Sequence, residues 1–153
     1  MDVRDAAARR LAGGSRTCKE LKDYLLKKEF NEKEIDELIK DYIDYGYLDD
    51  ERYCHEYFRY AFGKGKSKSR AFYELRTKGI SQNLIDIAYD EFEGDTDERG
   101  RAMETAMKIL SSAGISDGDP VPEKILGRIG RNLNSKGYSS DIIYGIIGDM
   151  RRW

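Results

Sequence analysis

Apolar side chains recur along this chain at the spacing of an α-helix, and the same stripe is written three times. Ile35, Leu38, Ile39, Tyr42 and Ile43 stand at i, i+3, i+4, i+7 and i+8. Ile85, Ala88, Tyr89 and Phe92 take the first four of these positions in a second copy, and Ile143, Ile146, Ile147 and Met150 take them in a third. An apolar stripe with this period is the core face of a helix. Asn31, Ser81 and Ser139 sit at the matching N-cap position, where a short side-chain oxygen accepts an orphan backbone N–H. Upstream, Leu21 and Leu25 match Ala71 and Leu75, and then Ile129 and Leu133, on a second helix of each unit. Gly79 and Gly137 follow that helix where a left-handed residue is expected, whereas the first unit has Glu29 there. The copies are offset by 50 and 58 residues, as Glu29–Asp36, Gly79–Asp86 and Gly137–Tyr144 align.

The first helices are less alike. One is expected over 3–13. Another runs from an N-cap at Asp49 to about Phe62, with Tyr53, Tyr57 and Ala61 on one stripe, and a third runs from about Asp95 to Ser112. Residues 113–122, rich in Gly, Asp and Pro, form the one obvious loop. The pattern predicts an all-α protein without strands: three tandem three-helix repeats, 1–48, 49–93 and 94–153, stacked in an elongated, curved array. Such arrays bind partners along a surface more often than they build a catalytic pocket.

Composition narrows the class. Of 153 residues, 39% are hydrophobic and 37% charged, which describes a soluble folded chain rather than a disordered one. No apolar run approaches the ~18 residues a membrane span needs, and no apolar core follows the N-terminal arginines as in a secretory signal. Cys18 and Cys54 are too few for a disulfide framework, so reduced thiols in the cytoplasm are expected.

The net charge of −2 conceals segregated blocks. Residues 4–28 carry 8 basic and 3 acidic side chains, 31–51 carry 2 and 9, 63–78 carry 6 and 1, 86–98 carry 0 and 7, and 123–153 carry 6 and 3. Alternation in step with the repeats predicts one basic and one acidic face. The densest basic stretch is Gly63-Lys64-Gly65-Lys66-Ser67-Lys68-Ser69-Arg70. Its glycines permit close backbone approach and its cations suit phosphate oxygens. On the helix that follows, Ala71, Phe72 and Leu75 point inward, while Arg70, Tyr73 and Arg76 cross the outer face. A tyrosine between two arginines can stack on a base or seat in a protein groove. Arg128 and Arg131 hold the positions equivalent to Arg70 and Tyr73, extending the face into the third repeat.

Other motifs fail. Gly65-Lys66-Ser67 resembles the end of a phosphate-binding P-loop, but Tyr60 stands where its first glycine belongs and the segment follows a helix. His55-Glu56 lacks a second histidine, since position 59 is arginine, so no zinc site and no cofactor is expected. The carboxylates of 31–51 and 86–98 read as solvated helix faces, and no nucleophile–base pair can be assembled.

Gly46-Tyr47-Leu48-Asp49-Asp50-Glu51-Arg52-Tyr53, with Gly65-Lys66, Glu74-Leu75 and Lys78-Gly79-Ile80, resembles the RecX family of regulatory proteins. Leu11-Ala12, Ser15, Glu20-Leu21 and Leu25 are similar to the family's first repeat. The resemblance implies three tandem three-helix repeats and modulation of the RecA recombinase. Family members bind the RecA filament on DNA, lie in its groove and inhibit strand exchange, ATP hydrolysis and co-protease activity. On that reading, Lys64, Lys66, Lys68, Arg70, Tyr73, Arg76 and Lys78 contact filament protein or DNA phosphates, with Arg128 and Arg131. Asp49 caps its helix, Asp50 and Arg52 support contacts between repeats, and Leu48, Tyr53 and Gly79 belong to the structural motif. A monomer without enzymatic activity is expected. A plain DNA-binding helical module, without a recombinase partner, is the alternative.

Overall fold

The computed structural model describes all 153 residues, as nine α-helices and no strand. They are α1 (Val3–Ala12), α2 (Cys18–Lys27), α3 (Glu32–Asp44), α4 (Asp50–Gly63), α5 (Lys68–Thr77), α6 (Gln82–Glu91), α7 (Glu98–Ser112), α8 (Glu123–Ser135) and α9 (Ser140–Arg151). The repeat is therefore real at the level of helices.

Local chemistry explains the starts. Asn31, Ser81 and Ser139 cap α3, α6 and α9 by accepting backbone N–H groups of the first turn. Thr17 and Glu20 form a reciprocal capping box on α2. Asp49 Oδ1 takes the amide of Arg52 at 3.0 Å, so it caps α4 as expected. The seventh helix begins later than the expected start near Asp95: Asp97 accepts the amide of Gly100. Two hydrophobic assignments also need correction. The buried face of α4 comprises Cys54, Phe58, Ala61 and Phe62, so Tyr53 and Tyr57 lie one step around the helix, at its edge. Ile43, one turn beyond Ile39, is 50% exposed, whereas its neighbour Tyr42 is buried, so the core face ends on Tyr42.

The chain divides into two compact units, residues 1–57 with 74–92, and residues 58–73 with 93–153. The division passes through α4 and α5 rather than between repeats. In the first unit α1, α2 and α3 pack on one another around Leu21, Leu25, Ile35, Leu38 and Leu48. In the second, α7, α8 and α9 enclose Ala106, Leu110, Leu126, Ile129, Leu133 and Ile146. Burial of such side chains, at roughly 25 cal/mol per Å² of apolar surface, is the main stabilising term.

Each unit contains one joint between successive repeats, and the two joints share a design. In the first, the Thr17 hydroxyl donates to the carbonyl of Lys78 at 2.6 Å, and Asp50 Oδ1 accepts the amide of Cys18 at 3.0 Å. In the second, the amide of Ser67, 50 positions after Thr17, donates to the carbonyl of Lys136 at 3.0 Å. There Glu98 takes the part of Asp50, accepting the amide of Lys68 at 2.9 Å. Thus the start of the second helix in one repeat meets the end of the second helix in the next.

This joint accounts for the glycines. Gly79 and Gly137 have φ of +92° and +94°, and a Cβ on Gly137 would lie 2.5 Å from Ser67 Oγ and 2.9 Å from Arg70 Cβ. A Cβ on Gly79 would overlap the Lys19 side chain. Glu29 adopts the same left-handed turn, at φ +66°, as the only non-glycine residue with positive φ. With a Cβ present, that turn bears a conformational cost that glycine avoids.

Candidate nucleic-acid interface

The basic stretch between α4 and α5 is held by its own backbone. Three successive carbonyls accept side-chain donors: Lys64 from Lys136 Nζ at 2.9 Å, Gly65 from the Tyr138 hydroxyl at 2.7 Å, and Lys66 from Arg101 Nε at 2.9 Å. The amides of residues 64–68 are likewise occupied, by Tyr60, Ala61 and Phe62 carbonyls, by Lys136 and by Glu98. A loop with every amide and three carbonyls bonded presents its side chains from a fixed frame.

Arg101 is the keystone. It is only 3% exposed, its guanidinium carbon lies 3.9 Å from the centre of the Phe62 ring, and Nη2 meets Glu98 at 2.8 Å. Burial pushes the Tyr138 hydroxyl up to about 12, so at neutral pH it keeps the proton it donates to Gly65.

The expected site residues divide. Lys64, Lys66, Lys68, Arg70, Tyr73, Arg128 and Arg131 fall in the second unit, whereas Arg76 and Lys78 fall in the first. Lys64, Lys68, Tyr73, Arg128 and Arg131 are exposed. The Lys64 ammonium sits 5.9 Å above Tyr60, and that of Lys68 5.2 Å above Phe72. Arg70 has a structural duty, donating to the carbonyl of Ser135 at the end of α8 at 3.1 Å. Arg76 bonds Gln82 at 2.7 Å. Lys78 is largely absorbed internally, 3.7 Å from Glu20 and over the rings of Tyr53 and Tyr57.

A cavity of about 470 Å³ lies beside the loop within the second unit. Lys64, Lys108, Arg128 and Lys136 line it, with Thr105 and Asn132. The sequence reading missed Lys108 and Lys136. Lys136 was discoverable, because it repeats Lys28 and Lys78 just before the left-handed turn. Lys108 and Arg101 carry no such signal, since α7 repeats α4 only loosely.

One cluster of possible ligand groups lies in the first unit. Glu51 and His55, one turn apart on α4, meet Glu91 at the end of α6, with one donor atom from each inside 4.8 Å of the others. The neighbouring Glu91 carboxyl raises Glu51 above the ordinary carboxylate range. Glu91 is distant in sequence, so no spacing motif announced the group.

Two family models match the chain: the first three-helix domain of RecX over residues 4–41, and the second over 49–88. Together they cover half of it. The chain belongs to the RecX family. A regulatory protein RecX of Trichlorobacter lovleyi is 33% identical over 139 residues, covering 90% of this chain and 88% of that protein. The one from Streptomyces lividans is 27% identical, covering 95% and 75%. The crystal structure of RecX from Lactobacillus salivarius superposes with a TM-score of 0.75 at 26% identity, covering 99% of this chain and 96% of the other. That coverage extends the likeness through the third group of helices. In this RecX-family chain the Gly46–Tyr53 motif does structural work. Leu48 is buried, Asp49 caps α4, Asp50 ties the first joint, and Arg52 bonds the carbonyl of Gly46 at 3.2 Å. Arg52 thus ties the start of α4 back to the turn that ends α3. No helix is long and apolar enough to cross a membrane.

Proposed function

We propose that this regulatory protein binds the RecA recombinase filament on DNA and inhibits its strand exchange, ATP hydrolysis and co-protease activities. It does so as a cytoplasmic monomer, with repeats bounded near 48/49 and 93/94. Family membership supports the recombinase as partner. The observation that carries the mode of binding is the backbone-bonded Gly63–Arg70 stretch, whose Lys64 lines one cavity with Arg128. In this reading Lys64, Lys68 and Arg128, joined by Tyr73 and Arg131, meet phosphate oxygens or acidic filament surface. Arg70 and Lys78 contribute chiefly by holding the scaffold. An array bound along a filament bridges successive subunits and hinders their exchange.

The test is RecA ATP hydrolysis on single-stranded DNA, titrated with this protein. Inhibition well below one protein per recombinase indicates action at filament ends, and inhibition near equal ratios indicates coating of the groove. Absence of any effect with the cognate recombinase refutes the proposal. A second reading, a DNA-binding module without a recombinase partner, draws on the four cations around one cavity. It requires binding to bare DNA that falls steeply with salt.

A further inference from the structure

The two joints place equivalent residues at equivalent points, yet only the second is lined this way. Tyr57 on α4 corresponds to Thr105 on α7, and Glu74 on α5 to Asn132 on α8, by the register that pairs Asp50 with Glu98 and Gly79 with Gly137. In the first joint Tyr57 and Glu74 reach each other, hydroxyl to carboxylate, at 2.8 Å. In the second, Thr105 turns back to the carbonyl of Arg101 on its own helix at 3.1 Å. Asn132 Oδ1 is buried without a hydrogen-bond partner. The shorter side chains leave the cavity of about 470 Å³.

The geometry points to this cavity as a binding site for the phosphate group of one nucleotide unit. Four cations line it, and no carboxylate does. Glu104, 3.7 Å from Lys108, is the one acidic neighbour of these cations, and that pair is exposed. Lys64 and Arg128 have no carboxylate within ion-pair distance. Lys136 already bonds the carbonyl of Lys64, so part of the cationic wall is positioned before a ligand arrives. The volume falls in the range of small-ligand pockets, roughly 300–1,000 Å³, and exceeds what a bare phosphate needs. Ile109 and the lysine stems offer an apolar surface for the sugar or base. The buried amide of Asn132 supplies either a donor or an acceptor, depending on its rotation. The phosphate can come from a nucleic-acid backbone or from a free nucleotide. The inference deepens the proposed DNA contact but does not depend on RecA being the partner.

The experiment measures binding of three probes, labelled oligo-dT, thymidine 5′-monophosphate and inorganic pyrophosphate, to the full chain by anisotropy and calorimetry. Two double variants are compared with the wild type, their folding checked by thermal melts. Lys108→Glu with Arg128→Glu reverses charge. Thr105→Tyr with Asn132→Gln fills the cavity in the manner of the first joint, with every cation retained. Each is expected to weaken binding by about tenfold or more, the loss from charged hydrogen bonds. Charge reversal also lowers the salt slope of oligo-dT binding by about two. Loss confined to oligo-dT assigns the site to backbone phosphate, and loss with the two small probes assigns it to free nucleotide. Wild-type affinity in the filled variant, or no binding of any probe by the wild type, overturns the inference. RecA inhibition measured on the same filled variant separates the two ideas, since inhibition can survive there while the phosphate site fails.

Discussion

The first and second joints begin from one plan and diverge in what they do with charge. Around the first, cations meet acids: Lys78 faces Glu20, Lys22 meets Glu32 at 3.3 Å and Asp36 at 2.9 Å, and Arg4 meets Asp41 at 2.7 Å. Around the second, Arg101 meets Glu98 at 2.8 Å, but Lys136 meets a backbone carbonyl, and Lys64 and Arg128 border a cavity. Residues 4–28 hold more basic side chains than 63–78, yet the second stretch is the better candidate for binding an anion. What matters is the partner each cation finds, because an ion pair already neutralised gains little by exchanging one acid for another.

The largest effect that breaks this contrast should come from Arg101. Tyr53 holds its position in the first joint, half-buried and uncharged, with its hydroxyl raised above the usual range chiefly by burial. Arg101→Ala leaves Glu98 and the carbonyls of Lys66 and Asp95 short of their donor and should cost about 3 kcal/mol in urea unfolding. Tyr53→Ala should cost less. Equal costs would mean that the guanidinium is not what holds the second joint.

The glycines come next. Gly137→Ala pushes a methyl against Ser67 and the Arg70 backbone as well as straining φ, and should cost about 2 kcal/mol. Gly79→Ala meets the flexible Lys19 stem and should cost less. Glu29→Gly should move the other way and stabilise by up to about 1 kcal/mol, since it only relieves a left-handed turn. Thermal melts of the three variants order them. Destabilisation by Glu29→Gly would show that its side chain has a role in the fold.

Removing the Tyr57 hydroxyl should be milder. Tyr57→Phe loses its bond to Glu74, worth about 1 kcal/mol, and should leave binding of DNA unaltered. Weakened DNA binding in that variant would blur the distinction between the joints. Smallest of all, Lys22→Gln removes two pairs with well-exposed carboxylates and should alter neither unfolding nor DNA affinity detectably.

The thiols give a pH test that applies to the first unit. Burial, more than any other cause, pushes Cys18 and Cys54 up to about 12 from 9.0. The folded state holds those protons where the unfolded chain releases them, so their contribution is intact below pH 9 and is lost as pH rises toward 12. Thiol-reagent labelling at pH 8 should therefore track unfolding, and rapid labelling of the native protein would contradict the burial.

The sequence by itself determined the helices, their caps and the repeat. Periodicity, N-caps and left-handed turns are local, and Ile35, Asn31 and Gly79 each act within a few residues of themselves. The same logic reached Lys64 and Arg128, whose neighbours and repeat positions were legible. It erred by one step on α4, where two adjacent aromatic stripes compete and only packing chooses between Tyr57 and Phe58. Tertiary structure alone decided that Lys78 is spent on Glu20 and two tyrosines, that Arg101 is buried, and that Thr105 and Asn132 leave room beside Lys108. Those outcomes depend on which side chains meet across residues far apart in the chain. A pattern read along one strand of text contains the charges, but their pairing is set only when the helices pack.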